Sequence, residues 1–244
     1  MRFSFDVNTF NIRWKIIRKI ALIQKLGLSP NTRRYNINLM GCYAALTGMR
    51  LASEICNQPN RTVLLVSVEL CTLHFQQKYS DDYLLSNTIF ADGAASAIIT
   101  SEQKQGQLEL MDFESRLLPD SDDEMSWKIS PDGFLMTLSS DVPKTISKSL
   151  NIKQLFDKNP TTTDWAIHPG GKQIIDGLEK TLGIATDKND APRKVLNEYG
   201  NMSSATILFV LKELLANGNK THDELIACAF GPGLTLEAAL LAYV

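Results

Sequence analysis

The sequence predicts an α/β fold in which strands buried on both faces alternate with helices. The run 62–70 (TVLLVSVEL) is apolar on both parities, as a parallel strand covered on both sides must be. Helical spacing starts directly after Cys42, where Ala45, Met49, Ala52 and Ile55 recur at i+3 or i+4 while Arg50 and Glu54 fall on another face. The second half repeats this order: a strand over 164–167, the polar His168-Pro169-Gly170-Gly171, then a helix over 172–182.

Composition narrows the function classes. The 244 residues are 44% hydrophobic and 21% charged, as in an ordinary globular chain with one large domain. A net charge of −2 gives no electrostatic footprint for nucleic acid, and no apolar run reaches the length of a membrane span. Small molecules or another protein are the expected partners. The cysteines at 42, 56, 71 and 228 show neither CxxC spacing nor nearby histidine clusters, so no metal site, no disulfide framework and no cofactor are expected. A reducing, cytoplasmic location fits that usage.

The remaining elements follow in order. The first 20 residues mix Phe3, Phe5 and Phe10 with Arg2, Arg13, Lys15, Arg18 and Lys19, without a signal-peptide core or cleavage site. Apolar spacing predicts a helix over 14–26, stopped by Gly27 and Ser29-Pro30. An extended run at 36–39 turns into the helix that Cys42 opens. A short helix is expected over 84–90, and Ala91-Asp92-Gly93 opens a strand ending at Ile99. Strands at 108–113 and 134–138 flank the acidic stretch 120–124, read as a solvated loop. Helices are expected over 142–156, 191–198 and 206–215, and strands over 225–230 and 234–241 form a hairpin through Gly231-Pro232-Gly233.

Three residues stand out chemically. Cys42 at a helix start faces unpaired N–H groups and the positive end of the helix dipole, which favour a thiolate. His168 follows a strand and Asn201 precedes a helix. Singly, each has a plainer explanation: a buried structural thiol, a satisfied histidine, an N-cap. Jointly, they fall outside the carboxyl ends of strands, where ligand sites of open α/β sheets gather.

The segments Gly41-Cys42-Tyr43-Ala44, His168-Pro169-Gly170-Gly171, Tyr199-Gly200-Asn201-Met202-Ser203-Ser204 and Phe230-Gly231-Pro232-Gly233-Leu234-Thr235 resemble, in order and spacing, those of type III polyketide synthases, the chalcone synthase-like branch of the thiolase fold. The resemblance runs from about Leu22 to Val244 and includes Val66-Ser67-Val68-Glu69, Phe90-Ala91-Asp92-Gly93-Ala94 and Asp141-Val142-Pro143. It implies a thiolase-like layered fold (αβαβα) with a partial N-terminal half at 22–101 carrying the nucleophile, a complete C-terminal half at 102–244, and an unmatched segment at 1–21. It also implies an acyltransferase that condenses an acyl-CoA starter with malonyl-CoA by decarboxylative Claisen chemistry through a Cys42 thioester. His168 would pair with the thiolate, and His168 and Asn201 would donate to the thioester oxygen. By the same resemblance Phe75 and Phe90 flank the passage into the cavity, Phe230 shapes its wall, and Cys71, His74, Gly133 and Ser203 set chain length and cyclisation. A homodimer is implied as well.

Departures and rivals bear on these expectations. Ala45, Ala91 and Ala229 stand where the family commonly has glycine. Only 41 residues precede Cys42, whereas a full member carries an entire half of the core there, so little synthase activity is expected of this stretch alone. A β-ketoacyl carrier-protein synthase shares the Cys-His-Asn set but typically reads His-Gln-Ala-Asn at the histidine. A papain-like protease has the same residue order without the context around its nucleophile. The third rival is a non-catalytic remnant of such a synthase.

Overall fold

In a computed structural model, described for residues 3–8, 20–77, 79–130, 133–149, 155–156, 163–186, 189–217 and 222–244, the strands gather into two four-stranded sheets and a hairpin. The first sheet has the order β2-β1-β3-β4, built from β1 (Phe3–Asn8), β2 (Arg33–Asn38), β3 (Thr62–Glu69) and β4 (Gly93–Thr100). β1 runs parallel to both β2 and β3, while β4 is antiparallel to β3. The second sheet has the order β5-β10-β9-β8, from β5 (Leu108–Leu117), β8 (Asp164–Ile167), β9 (Glu224–Gly231) and β10 (Thr235–Tyr243). β8 is parallel to β9, and β10 is antiparallel to both its neighbours, β9 and β5, the short 231–234 turn reversing the chain between β9 and β10. β6 (Met125–Ser130) and β7 (Gly133–Leu138) form the separate hairpin.

The helices are α1 (Ala44–Cys56), α2 (Asp81–Ile89), α3 (Val142–Ser149), α4 (Lys172–Leu182), α5 (Asp190–Tyr199) and α6 (Thr206–Asn217). α1 and α6 lie between the sheets, where Leu46, Met49, Ile207 and Val210 share one core with Val63 and Leu65 of β3 and Ala227 and Ala239 of the second sheet. Small residues on α1, including Ala44, Ala45, Gly48 and Ala52, let it fit between two sheets. The side chains of β9 divide by parity. Leu225, Ala227 and Ala229 face that inner core, whereas Ile226, Cys228 and Phe230 face a second core with Ile146, Leu178 and Met136.

Several expectations shift. β5 continues to Leu117, and β6 occupies residues for which no element was expected. The helix expected over 142–156 is described as α3 over Val142–Ser149; 150–154 lie outside the described residues, and Phe156 has a positive φ of 53°, which is not helical. Residues 14–19 of the first expected helix lie outside the described residues; 20–25 are helical and stop at Gly27, whose φ is 61°. β1 was not announced by the pattern of the first 20 residues.

The turn after β2 and the turn between β9 and β10 fit closely together. Gly41, with φ of 67°, lies so near the hairpin turn that a Cβ there would stand 2.6 Å from Pro232 Cδ. On the other side, a Cβ on Gly231 would stand 2.5 Å from the Tyr43 ring. Gly41→Ala therefore combines left-handed strain with overpacking, and is expected to cost about 2–5 kcal/mol in urea unfolding. Gly27→Ala has the same backbone strain but nothing within 4 Å, and should cost only about 1 kcal/mol.

Candidate active site

Each of the three predicted residues is fixed by a local device. After β2, Leu39 takes a left-handed φ of 58°, Gly41 follows at 67°, and a 3-10 turn over Gly41–Tyr43 delivers Cys42 to the start of α1. Strain at a non-glycine residue beside a reactive group is a common mark of a site held by its surroundings. Gly200, with φ of 72°, ends α5, and Asn201 then forms an isolated parallel bridge with Phe90. Asn201 N donates to Ile89 O at 2.9 Å, and Ala91 N donates to Asn201 O at 2.9 Å. The Asn201 side chain is oriented as firmly. Its Oδ1 accepts from Ser203 N at 2.9 Å, and its Nδ2 donates to Gly170 O at 3.3 Å. Ser203 reaches this position with a φ of 50°. His168 leaves β8 with its N–H donating to Cys228 O at 2.8 Å, and its carbonyl accepts from Gly170 N at 2.9 Å.

These devices converge. Cys42 Sγ lies 4.0 Å from Asn201 Oδ1, and Cys42, His168 and Asn201 line one cavity of about 510 Å³ together with Phe90 and Phe230. Lys172, an exposed residue at the start of α4, stands at its mouth. Both ring nitrogens of the buried His168 lack a hydrogen-bond partner among the described residues. Such an orphaned imidazole facing a cavity is poised for a ligand.

Burial sets the protonation of this site. It pushes the Cys42 thiol up to about 12, with the Ser203 hydroxyl and Asn201 pulling the other way and the Glu69 charge adding to the rise. It drops His168 to about 3. Burial thus works against charge on both groups.

A second, smaller cavity of about 60 Å³ lies on the other side of Phe90, whose side chain lines both. Cys71, His74 and Phe75 line this second space, and Phe75 is largely exposed. Ser203 is buried and acts through its backbone on Asn201. Gly133 opens β7 opposite Ser130, and its surroundings lie outside the described residues. Sequence reasoning missed Trp127 and Met136 on the β6–β7 hairpin, which also line the smaller cavity. It also missed a buried chain in which Ser67 and Ser204 hydroxyls share a 2.7 Å hydrogen bond and Ser204 donates to Glu69. The alternation of Trp127 with polar Ser126 and Lys128 was the available signal.

Two sheets enclosing buried helices, with cysteine, histidine and asparagine converging from three loops, define a thiolase-like fold. Family models for chalcone and stilbene synthases match in two parts, the N-terminal domain over residues 18–103 and the C-terminal domain over 109–244, and the chain belongs to that family. A relative from Bacillus subtilis (strain 168), whose name carries the words chalcone synthase, is 34% identical over 238 residues, covering 91% of this chain and 65% of its own length. Among solved structures, PKS-I from the brown alga Ectocarpus siliculosus superposes with a TM-score of 0.91 at 28% identity, covering all of this chain and 69% of that one. The C-terminal type III polyketide synthase domain of Steely1, a type I/III hybrid from Dictyostelium, gives 0.88 at 30% identity, covering all of this chain and 70% of that domain's chain. The chain thus spans about two thirds of the relatives it matches.

The depressed His168 has a measurable consequence. As pH falls below the ordinary value of 6.5, the unfolded chain takes up a proton that the folded chain refuses until about pH 3, so stability is lost across that window. His168→Gln is expected to lose less stability than the unaltered protein between pH 7 and pH 5, read from urea midpoints. A steeper loss in the variant would show His168 to be protonated in the fold.

Proposed function

We propose that this protein is a polyketide synthase of the type III class, acylated at Cys42 by a coenzyme A thioester and extending that acyl group with malonyl units. The observation that carries the reading is the single cavity into which Cys42, His168 and Asn201 converge. Cys42 Sγ attacks the thioester carbonyl, its proton passes to the unpartnered nitrogen of His168, and His168 returns it to the departing coenzyme A thiolate. This route needs no resting thiolate, in keeping with the neutral forms that burial favours.

In the extension step, malonyl-CoA loses carbon dioxide and negative charge collects on the thioester oxygen. The His168 ring and the second hydrogen of Asn201 Nδ2 can both donate to that oxygen. The resulting carbanion attacks the acyl carbon on Cys42, forming the new carbon–carbon bond and releasing the Cys42 sulfur. Asn201 cannot carry a proton, so its role is to polarise and hold. We further infer a division near residue 101 between the nucleophile-bearing half and the C-terminal half. The four free cysteines suit a cytoplasmic location. Pairing of two copies would cover the outer strand β4, whose Ile98 is exposed.

Intact-mass analysis after incubation with acyl-CoA tests the assignment. Cys42→Ala should carry no adduct, and an adduct that persists or maps to Cys71 would overturn it. Asn201→Ala should slow malonyl-CoA decarboxylation by about 10²–10³, the usual loss for one oxyanion donor.

A further inference from the structure

The motif Val66-Ser67-Val68-Glu69 takes no part in the steps above, yet it ends β3 directly against the turn that holds Asn201. Ser67 and Glu69, two residues apart, share one face of the strand, and both are fully buried. Facing them is the 3-10 turn Ser203–Ala205 that leads into α6. Ser204 Oγ donates to a Glu69 carboxylate oxygen, and the Ser67 and Ser204 hydroxyls lie 2.7 Å apart. A hydroxyl has one hydrogen, so with that of Ser204 given to Glu69, it is Ser67 that donates to Ser204. The carboxylate at the end of the chain sets its direction.

Ser203, next in the chain to Ser204, stands at a φ of 50°, which a non-glycine residue keeps only where its surroundings hold it. Its N–H donates to Asn201 Oδ1 at 2.9 Å, and because the amide is planar, fixing Oδ1 also fixes Nδ2. One Nδ2 hydrogen goes to Gly170 O at 3.3 Å, which leaves the other for a substrate oxygen. We propose that Glu69 and Ser204 are positioning residues for the extension step: they clamp the strained Ser203 turn to the end of β3, so that the Ser203 N–H holds the Asn201 amide with its second hydrogen toward the thioester oxygen. Neither is among the described residues that line the cavity at Cys42. The Glu69 charge also works against a thiolate at Cys42, so activating that thiol is not its use. A carboxylate this deeply buried is costly, and the hydrogen bonds it accepts are what the site gains from it.

This inference rests on the synthase reading above, and two measurements separate them. Hydrogen exchange at the Ser203 amide, followed by NMR, reads the clamp without any reaction, and malonyl-CoA decarboxylation reads its effect on catalysis. Ser204→Ala is expected to speed Ser203 exchange by at least about tenfold while Val210 in the middle of α6 exchanges as before, and to slow decarboxylation by about 10–10². Placed in Asn201→Ala, it should cause no further slowing, because it acts through Asn201. Glu69→Leu should match Ser204→Ala, whereas Glu69→Gln, whose amide oxygen still accepts from Ser204, should lie within about threefold of the unaltered protein. Unchanged Ser203 exchange, or a slowing in the Asn201→Ala background as large as in the unaltered protein, would overturn the proposal. An unaltered protein that neither takes an acyl group at Cys42 nor decarboxylates malonyl-CoA would instead overturn the synthase reading and the catalytic role with it, and the exchange result would still decide the clamp. Should Ser204→Ala not fold, as judged by its melting curve, Glu69→Leu combined with Ser204→Ala, which removes both partners at once, is read by the same criteria.

Discussion

The close approach of the Gly41–Tyr43 turn to the Gly231–Gly233 hairpin is the contact on which the rest of the molecule depends. One turn belongs to the end of β2 in the first sheet and the other joins β9 to β10 in the second. Neither tolerates a side chain where it meets the other, since Pro232 and the Tyr43 ring fill the space a Cβ would need. A half-buried ion pair two turns further along α1 reinforces this, where Arg50 approaches the buried Glu237 of β10 at 3.5 Å. Because Cys42 lies between Gly41 and Tyr43, docking the two sheets and placing Cys42 are one event.

A second lock brings Asn201 to the same point. The Phe90–Asn201 bridge joins the end of α2 to the start of the loop before α6, and a Cβ on Gly93 would collide with Met202. The partition residue Phe90 and the amide of Asn201 thus move together. Ser203 accepts a strained φ so that its N–H can hold Asn201 Oδ1, a local cost of about 1–3 kcal/mol that the packed surroundings offset. The buried placing of these groups has two effects of opposite use. It makes isolated charges on Cys42 and His168 unfavourable, and it strengthens any hydrogen bond to charge that develops during reaction.

Much of this was legible in the residues. The doubly apolar run of β3, the parity split of β9 and the small residues of α1 all state how many faces each element buries, which is what fixes a layered fold. Cys42, His168 and Asn201 were legible because each ends or begins a regular element in a short polar motif. What sequence patterns could not supply was non-local. β1 depends on neighbours on both sides, its place between β2 and β3 being set by pairing and not by its own pattern. The half-buried position of Trp127 depends on the hairpin packing against the second core. The upward push that burial gives the Cys42 thiol was hidden for the same reason, since a helix start is visible in sequence and the depth of burial is not.

The central claim is that Cys42, His168 and Asn201 act on one thioester carbonyl. A crystal structure of the protein after exposure to an acyl-CoA tests it directly. The account predicts continuous density from Cys42 Sγ to the acyl group, with the carbonyl oxygen within hydrogen-bond distance of Asn201 Nδ2 or a His168 ring nitrogen. An acyl group on Cys71, or a carbonyl turned away from both donors, would contradict it.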